Sequence, residues 1–135
     1  MRVVFADTLY WVAITRPDDP WRPLVYAAGA RLGEPRLITT DEVLTEFLAH
    51  MSSRGPYLRK LAAQLVRRVL DDEDVTVIPQ SRESFLGGLN LYERRLDKGY
   101  SLVDCVSMTA MRTQAIRDVC TNDTHFAQEG FAPLL

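Results

Sequence analysis

The fold is decided near the start of the chain, where residues 3–14 read VVFADTLYWVAI. The first four of these residues are apolar and partly β-branched, which predicts a short strand that ends at Asp7. From Thr8 to Ile14 the apolar residues recur at helical spacing, so a helix is expected to follow the strand at once. A strand that passes directly into a helix begins a βαβ unit.

The alternation of short strands and helices continues along the chain. Further strands are expected at residues 36–39, 75–78 and 116–121, and further helices at 20–32, 40–51, 57–70, 81–98 and 102–113. Strands that alternate with helices form parallel sheets through right-handed crossovers. We therefore predict an α/β fold, a three-layer sandwich with a short central parallel sheet flanked by helices. In such a fold, ligands bind at the carboxyl ends of the strands.

Length and composition are those of a globular protein. The chain has 135 residues, of which 47% are apolar and 25% are charged, which predicts a single domain over residues 1–135. Its 16 basic and 18 acidic residues give a formal net charge of −2. The overall charge therefore does not indicate a nucleic-acid binder, although a local basic surface is compatible with it.

No apolar run approaches the length of about 20 residues that a membrane span needs, and we expect a cytoplasmic protein. Cys105 and Cys120 are too few for a disulfide scaffold and lack the spacing of a zinc or redox motif. Both are expected to be buried as small apolar residues.

Carboxylates stand at or just beyond the predicted carboxyl ends of the strands. They are Asp7 after the first strand, Asp41, Glu42 and Glu46 in the helix after the second, Asp123 after the last, and Asp104 in the helix that follows Ser101. These side chains are expected to converge at one edge of the sheet. Crowded carboxylates repel one another unless a cation or bound protons neutralise them. Oxygen ligands without a Cys/His cluster predict a hard cation, Mg²⁺ or Mn²⁺.

Three of these acids also have a structural interpretation. Asp7 and Asp123 each precede a predicted helix, where aspartate is a favoured N-cap. Asp104 lies three residues after Ser101, which is the spacing of a capping box in which each side chain satisfies a backbone N–H. The sequence alone leaves both interpretations open for these residues.

Glu42 and Glu46 lie on the same predicted helix but differ in context. Thr39 and Glu42 have the spacing of a capping box, which explains Glu42 without any chemistry. Glu46 lies one turn beyond the cap, between the apolar Leu44 and Phe47, where an unpaired charge is unfavourable. Glu46 rather than Glu42 is therefore the candidate for a functional carboxylate.

Four segments of the chain form a pattern when they are taken together. They read VVFADT (3–8), VLTE (43–46), DKGYSLVDC (97–105) and TNDTHF (121–126). These segments resemble the PIN-domain ribonucleases, in particular the VapC-like toxins of toxin–antitoxin pairs. They occur in the family's order, and the resemblance extends from Val3 to Phe131.

The resemblance implies a PIN-like fold and an Mg²⁺- or Mn²⁺-dependent endoribonuclease that hydrolyses RNA phosphodiester bonds. The family's catalytic and metal-binding acids match Asp7, Glu46, Asp104 and Asp123, and its supporting polar residues match Thr8 and Ser101. The resemblance also implies a cognate antitoxin and a toxin homodimer. His125 matches a common family position, and its part in the chemistry stays open.

An RNA substrate needs positive charge near the acids, because phosphate contacts supply most non-specific affinity. Residues 54–68 contain five basic side chains and no acidic one; these are Arg54, Arg59, Lys60, Arg67 and Arg68. The alternative interpretation is a solvated helix face. Apolar residues that could form a surface for protein partners are Trp11, Trp21, Tyr57, Leu61 and Leu65, although core packing is favoured for each of them singly.

Other classes of function have weaker support in the sequence. A phosphotransferase of the haloacid-dehalogenase or receiver type is disfavoured, because the first strand is not followed by the paired aspartates of the former and neither Lys60 nor Lys98 stands just after a late strand. No GxxxxGK or GxGxxG loop for nucleotide binding occurs. Two alternatives within the PIN-like class stay open. They are a housekeeping RNA-processing nuclease and a non-catalytic module that binds RNA or protein.

Overall fold

A computed structural model describes residues 2–135 as an α/β fold. The strands are β1 (Val3–Ala6), β2 (Arg36–Thr40), β3 (Val75–Ile78), β4 (Asp118–Cys120) and β5 (Ala132–Pro133). They form one parallel sheet in the order β3-β2-β1-β4-β5. The helices are α1 (Thr8–Thr15), α2 (Arg22–Arg31), α3 (Asp41–Met51), α4 (Pro56–Asp71), α5 (Arg82–Arg94), α6 (Leu102–Thr113) and α7 (Thr124–Gln128).

The central strand β1 is buried on both faces. Phe5 belongs to the larger apolar cluster, with Phe47 of α3 and Met108 of α6. The preceding residue, Val4, belongs to the smaller cluster, with Val25 of α2. Successive side chains of a strand point to opposite faces of the sheet. Helices therefore cover the sheet on both sides, which confirms the predicted three-layer sandwich.

The order of the strands creates a crevice beside β1. The chain passes from β1 to β2 and β3 on one side, and later adds β4 and β5 on the other side. Such a reversal of strand order opens a crevice at the carboxyl ends of the strands. Ala6 at the end of β1 is in register with Cys120 at the end of β4. The residues that follow, Asp7 and Thr121, therefore begin two neighbouring loops at this edge.

The position of α6 depends on a close contact with α5. A Cβ atom on Gly88 would lie 2.6 Å from Cγ2 and 3.2 Å from the backbone nitrogen of Val106. Glycine lowers helix stability by about 1 kcal/mol relative to alanine, but here it lets the two helices approach. This contact holds α6, which carries Asp104 in its first turn, against α5.

Several helix and strand boundaries differ from the prediction. α2 begins at Arg22 rather than at Pro20, because the backbone N–H of Trp21 bonds Asp19 Oδ1 (2.9 Å) in a local turn. The helix predicted to Lys98 ends at Arg94, and the strand predicted at 116–121 is limited to β4. β5 was not predicted, since it is two residues long and contains a proline.

The candidate partner residues differ in their exposure. Trp11 is 2% exposed and packs in the core, so its interpretation as a partner surface is wrong. Tyr57 is 71% exposed, whereas Trp21, Leu61 and Leu65 are half-buried. Both cysteines are buried and free, as predicted. Within residues 2–135, no helix combines the length and the apolar character that crossing a membrane requires.

Candidate active site

Asp7 is the most buried acid at the carboxyl edge of the sheet, with 8% of the residue exposed. Its Oδ2 accepts a hydrogen bond from Thr121 Oγ1 (3.0 Å). Burial raises the pKa of Asp7 from 3.8 to about 7, and the negative charges of Asp104 and Glu46 act in the same direction. The charged form of Asp7 is therefore disfavoured unless a cation lies close to it.

Glu46 faces the same edge from the second turn of α3. Thr8, the first residue of α1, donates a hydrogen bond from Oγ1 to Glu46 Oε1. This contact joins the start of α1 to α3 and holds the carboxylate near Asp7. Thr8 thus lies at the edge of the acidic cluster, where the sequence places it.

The predicted capping box of Thr39 and Glu42 is wrong. Thr40 is the N-cap of α3, and its Oγ1 accepts a hydrogen bond from the backbone N–H of Val43 (3.1 Å). Thr39 is buried within β2, where its hydroxyl donates to a backbone carbonyl of β1 (2.9 Å). Glu42 accepts a hydrogen bond from Ser84 Oγ of α5 (2.8 Å). Glu42 therefore links two helices and does not join the acidic cluster.

Asp104 combines a structural role with a place in the cluster. Ser101 and Asp104 form a reciprocal capping box, with both hydrogen bonds at 3.0 Å. Burial raises the pKa of the Asp104 carboxyl, and the charge of Asp123 adds to this effect. The cap fixes the direction of the Asp104 side chain, so Ser101 positions this acid.

Asp123 is tied to Asp7 through Thr121. Asp123 Oδ1 caps α7 by accepting from the backbone N–H of His125 (2.9 Å). Its own backbone N–H donates to Thr121 Oγ1 (3.2 Å), and this hydroxyl donates to Asp7 (3.0 Å). Thr121 is a positioning residue that the sequence reasoning did not assign. A hydroxyl residue directly after a buried strand was the available signal.

The four predicted acids therefore lie at the same edge of the sheet, but they are not equally close to one another. Among residues 2–135, the residues whose ligand atoms all lie within 4.8 Å of one another are Asp104, Asp123 and His125. Asp7 and Glu46 lie outside this tight group, and the charges of Asp104 and Glu46 add to the larger effect of burial on the pKa of Asp7.

These donor atoms fit a divalent cation. The four carboxylates supply oxygen ligands, which Mg²⁺ and Mn²⁺ prefer. His125 Nδ1, which lies beside Asp104 and Asp123, is buried and has no hydrogen-bond partner within the described chain. A cation at this position would offset the repulsion between the acids and give this nitrogen a partner.

Residues 4–131 match the family model of the PIN domain. This chain belongs to the PIN domain family. The match covers the chain from β1 to the residue before β5, and it includes all four acids of the cluster. The resemblance inferred from the four sequence segments is thereby confirmed.

Solved structures with the same fold include two that align over 96% of this PIN domain. One is Mycobacterium tuberculosis VapC20, described as a sarcin–ricin loop cleaving toxin, with a TM-score of 0.83, 22% identity and 96% of its own chain covered. The other is FitAcB from Neisseria gonorrhoeae, with a TM-score of 0.65, 14% identity and 95% of its chain covered. No curated protein sequence matches significantly.

A buried carboxylate outside the predicted set braces this PIN domain behind its acidic site. The Glu129 side chain is 4% exposed and pairs with Arg95 (2.7 Å) and Arg112 (2.6 Å). It also accepts a hydrogen bond from the hydroxyl of Tyr100 (3.0 Å). Glu129 therefore holds the segment before Ser101 against α6 and α7, the helices that carry the ligand atoms.

The five basic residues of segment 54–68, which we call the basic segment, are all exposed. None of them forms an ion pair with an acid of residues 2–135. Arg54 Nη2 lies 2.9 Å from His50 Nε2, and His50 is one helical turn beyond Glu46 on α3. Arg54, the first residue of the basic segment, therefore contacts α3, the helix that carries Glu46.

Proposed function

We propose that this PIN domain is an Mg²⁺- or Mn²⁺-dependent endoribonuclease and the toxin component of a type II toxin–antitoxin system. The observation that carries the proposal is the meeting of Asp7, Glu46, Asp104 and Asp123, from four distant segments, at the crevice beside β1. Two members of this cluster, the buried Asp7 and the half-buried Asp104, have raised pKa values. Carboxylates crowded in this way are unfavourable without a counter-charge, so the cluster is most simply explained by a bound cation.

Each residue of the site has a proposed role. Asp7, Asp104 and Asp123 hold the metal, together with Glu46, whose carboxylate also orients water at the phosphate. A bound divalent cation supplies a Lewis acid that activates water and neutralises the negative charge developing on the phosphate oxygens. Thr8 fixes Glu46, and Ser101 fixes Asp104 through the capping box.

The proposal predicts loss of RNA cleavage in Asp104→Asn. The amide can still accept the hydrogen bond from the Ser101 backbone, so the cap is kept while the negative charge is lost. We expect the rate on a labelled RNA with Mg²⁺ or Mn²⁺ to fall on the order of 10³-fold. Glu42→Gln is the matched control, because Glu42 lies outside the cluster. Equal rates for Asp104→Asn and the wild type would contradict the proposed site.

The toxin role is supported by the similarity in fold to a protein described as a toxin, M. tuberculosis VapC20. It requires that expression arrests growth, that the product of a neighbouring gene relieves the arrest, and that the protein acts in the cytoplasm on RNA. Cleavage without growth arrest would favour a housekeeping RNA-processing nuclease. Metal and RNA binding without cleavage would favour a non-catalytic module.

The basic segment is proposed to bind the RNA backbone. Its side chains are exposed and form no ion pair within residues 2–135, and its first residue contacts α3, the helix that carries Glu46. Charge reversal in Arg59→Glu/Arg67→Glu is expected to weaken RNA binding and to flatten its salt dependence, since each lost phosphate contact lowers the slope by about one. Filter binding at several salt concentrations measures this. An unchanged slope would favour the solvated helix face.

Two protein partners are proposed, a second copy of the chain and an antitoxin. Leu96 lies just beyond the end of α5, and the exposed side of the helix itself carries three apolar side chains, which are Phe85, Leu86 and Tyr92. Arg82 and Glu93 flank them at opposite ends, so two antiparallel copies of α5 would pair these charges. Light scattering of the wild type and Tyr92→Glu tests the homodimer, with a monomer expected for the variant.

Co-purification from the native operon tests the antitoxin.

A further inference from the structure

We propose that Nδ1 of His125 is a metal ligand, beside the carboxylates of Asp104 and Asp123, and that this nitrogen makes the site bind Mn²⁺ more tightly than Mg²⁺. The proposal rests on the proposed metal-dependent function. It concerns which atoms of this chain hold the cation, and it gives His125 a role that the sequence leaves open.

The position of Nδ1 is the first argument. This atom is shielded from solvent, although 31% of the imidazole side chain is exposed. It lies 3.3 Å from Asp123 Oδ1 and 3.5 Å from Asp104 Oδ2, and it has no hydrogen-bond partner among residues 2–135. Ligand atoms at right angles around a cation, with bonds of about 2.1 Å, lie about 3 Å apart. The two distances are close to the separation of neighbouring ligands.

The surroundings of the imidazole hold it in this orientation. The Tyr100 ring packs edge-on against it, with ring centroids 5.4 Å apart. The Tyr100 hydroxyl is fixed in turn by its hydrogen bond to Glu129. Gly99 lies beside the other ring nitrogen, since a Cβ atom there would be 3.5 Å from Nε2. A side chain that is already held in place loses little conformational freedom when it binds a ligand.

The chemistry of the donors leads to the metal preference. Mg²⁺ favours oxygen ligands and keeps several of its waters. An imidazole nitrogen suits first-row transition ions better than it suits Mg²⁺. Two carboxylates and one imidazole therefore form a mixed donor set that adds affinity for Mn²⁺ and little affinity for Mg²⁺.

A purely structural role for His125 would have a different geometry. If the ring only neutralised the acids, Nδ1–H would donate a hydrogen bond of about 2.7–2.9 Å to one carboxylate. Neither carboxylate oxygen lies at that distance. The nitrogen instead lies between two carboxylates, which is the position expected of a metal ligand.

Pulsed electron paramagnetic resonance of the Mn²⁺-loaded full chain tests the proposal directly. A directly bound imidazole gives a nitrogen-14 modulation on the Mn²⁺ signal. The chain has two histidines, so His50→Asn is a matched control for His125→Asn. We expect the modulation in the wild type and in His50→Asn, and its loss in His125→Asn.

Calorimetric titration gives the second readout. His125→Asn is expected to bind Mn²⁺ about tenfold more weakly than the wild type, with Mg²⁺ affinity changed less than about threefold. Circular dichroism confirms that the variant is folded. Mn²⁺ binding without nitrogen modulation in the wild type, or modulation that persists in His125→Asn, would overturn the role of His125. Absence of any Mn²⁺ binding by the wild type would overturn the proposed metal site itself.

Discussion

Asp7→Asn is expected to make the metal-free PIN domain more stable at neutral pH while it abolishes cleavage. Burial raises the pKa of Asp7 to about 7 in the folded chain, against an ordinary value of 3.8. Between these pH values the folded state holds a proton that the unfolded state has lost, so stability falls as the pH rises from about 4 to about 7. Above pH 7 the full penalty of a buried charge is present.

Asparagine is neutral at every pH and can still accept the hydrogen bond from Thr121. We therefore expect Asp7→Asn to gain about 2–4 kcal/mol in the free energy of unfolding at pH 8, and nothing near pH 4. Chemical denaturation in a chelating buffer at both pH values measures the difference. Asp97→Asn, which replaces an acid whose side chain is 77% exposed, is the control.

A divalent cation should reverse the order of stability, so that the wild type becomes more stable than Asp7→Asn. A ligand that binds the folded state raises its stability according to concentration and affinity. Saturating Mn²⁺ is therefore expected to stabilise the wild type more than Asp7→Asn, which keeps the other ligands but lacks one carboxylate. If Asp7→Asn is less stable than the wild type in the chelating buffer at pH 8, then the buried charge of Asp7 does not oppose folding.

Glu129→Gln is expected to produce the largest loss of stability from a single acid. Hydrogen bonds, first of all with Arg95, lower the pKa of Glu129 from 4.5 to about 2. A lowered pKa contributes stability that is present above about pH 4.5 and is lost as the pH falls through about 2. Because the two arginine side chains are 35% and 46% exposed, solvent screens the pairs, and we expect about 2 kcal/mol at pH 7.

Denaturation of Glu129→Gln at pH 7 and at pH 2.5 measures this contribution. The difference from the wild type should be clear at pH 7 and small at pH 2.5. Glu93→Gln on the exposed side of α5 is the control and should change little at either pH. Equal stability of Glu129→Gln and the wild type at pH 7 would show that Glu129 does not brace the helices around the site.

Local patterns in the sequence were sufficient for four of the five strands and, together with the family resemblance, for the four acids. The β-branched run before Asp7 and the apolar spacing after it indicate a strand and a helix, and parallel βα units bring strand ends together. Glu46 was separated from Glu42 by its apolar neighbours, and the structure places Glu46, but not Glu42, in the cluster. The physical reason is that an unpaired charge among apolar side chains requires a partner.

Contacts between distant segments could not be predicted in the same way. Glu129 meets its partners across 34, 29 and 17 residues, and no local spacing marks such a set. The cap of α3 was assigned to Thr39 because Glu42 follows Thr39 at the spacing of a capping box. Only the pairing of β2 with β1 and β3 shows that the strand continues to Thr40. The strand β5 depends on its pairing with β4 alone.

Mapping of RNA ends after incubation of total RNA with the purified chain tests the proposed nuclease. With Mg²⁺ or Mn²⁺, the wild type should cut at defined positions and leave 5′-phosphate and 3′-hydroxyl ends, because water attacks the phosphate without the 2′-hydroxyl. Asp7→Asn, and the wild type in a chelator, should leave the same RNA intact. Cleavage at the same positions by Asp7→Asn, or by the wild type in the chelator, would contradict a metal-dependent acidic site.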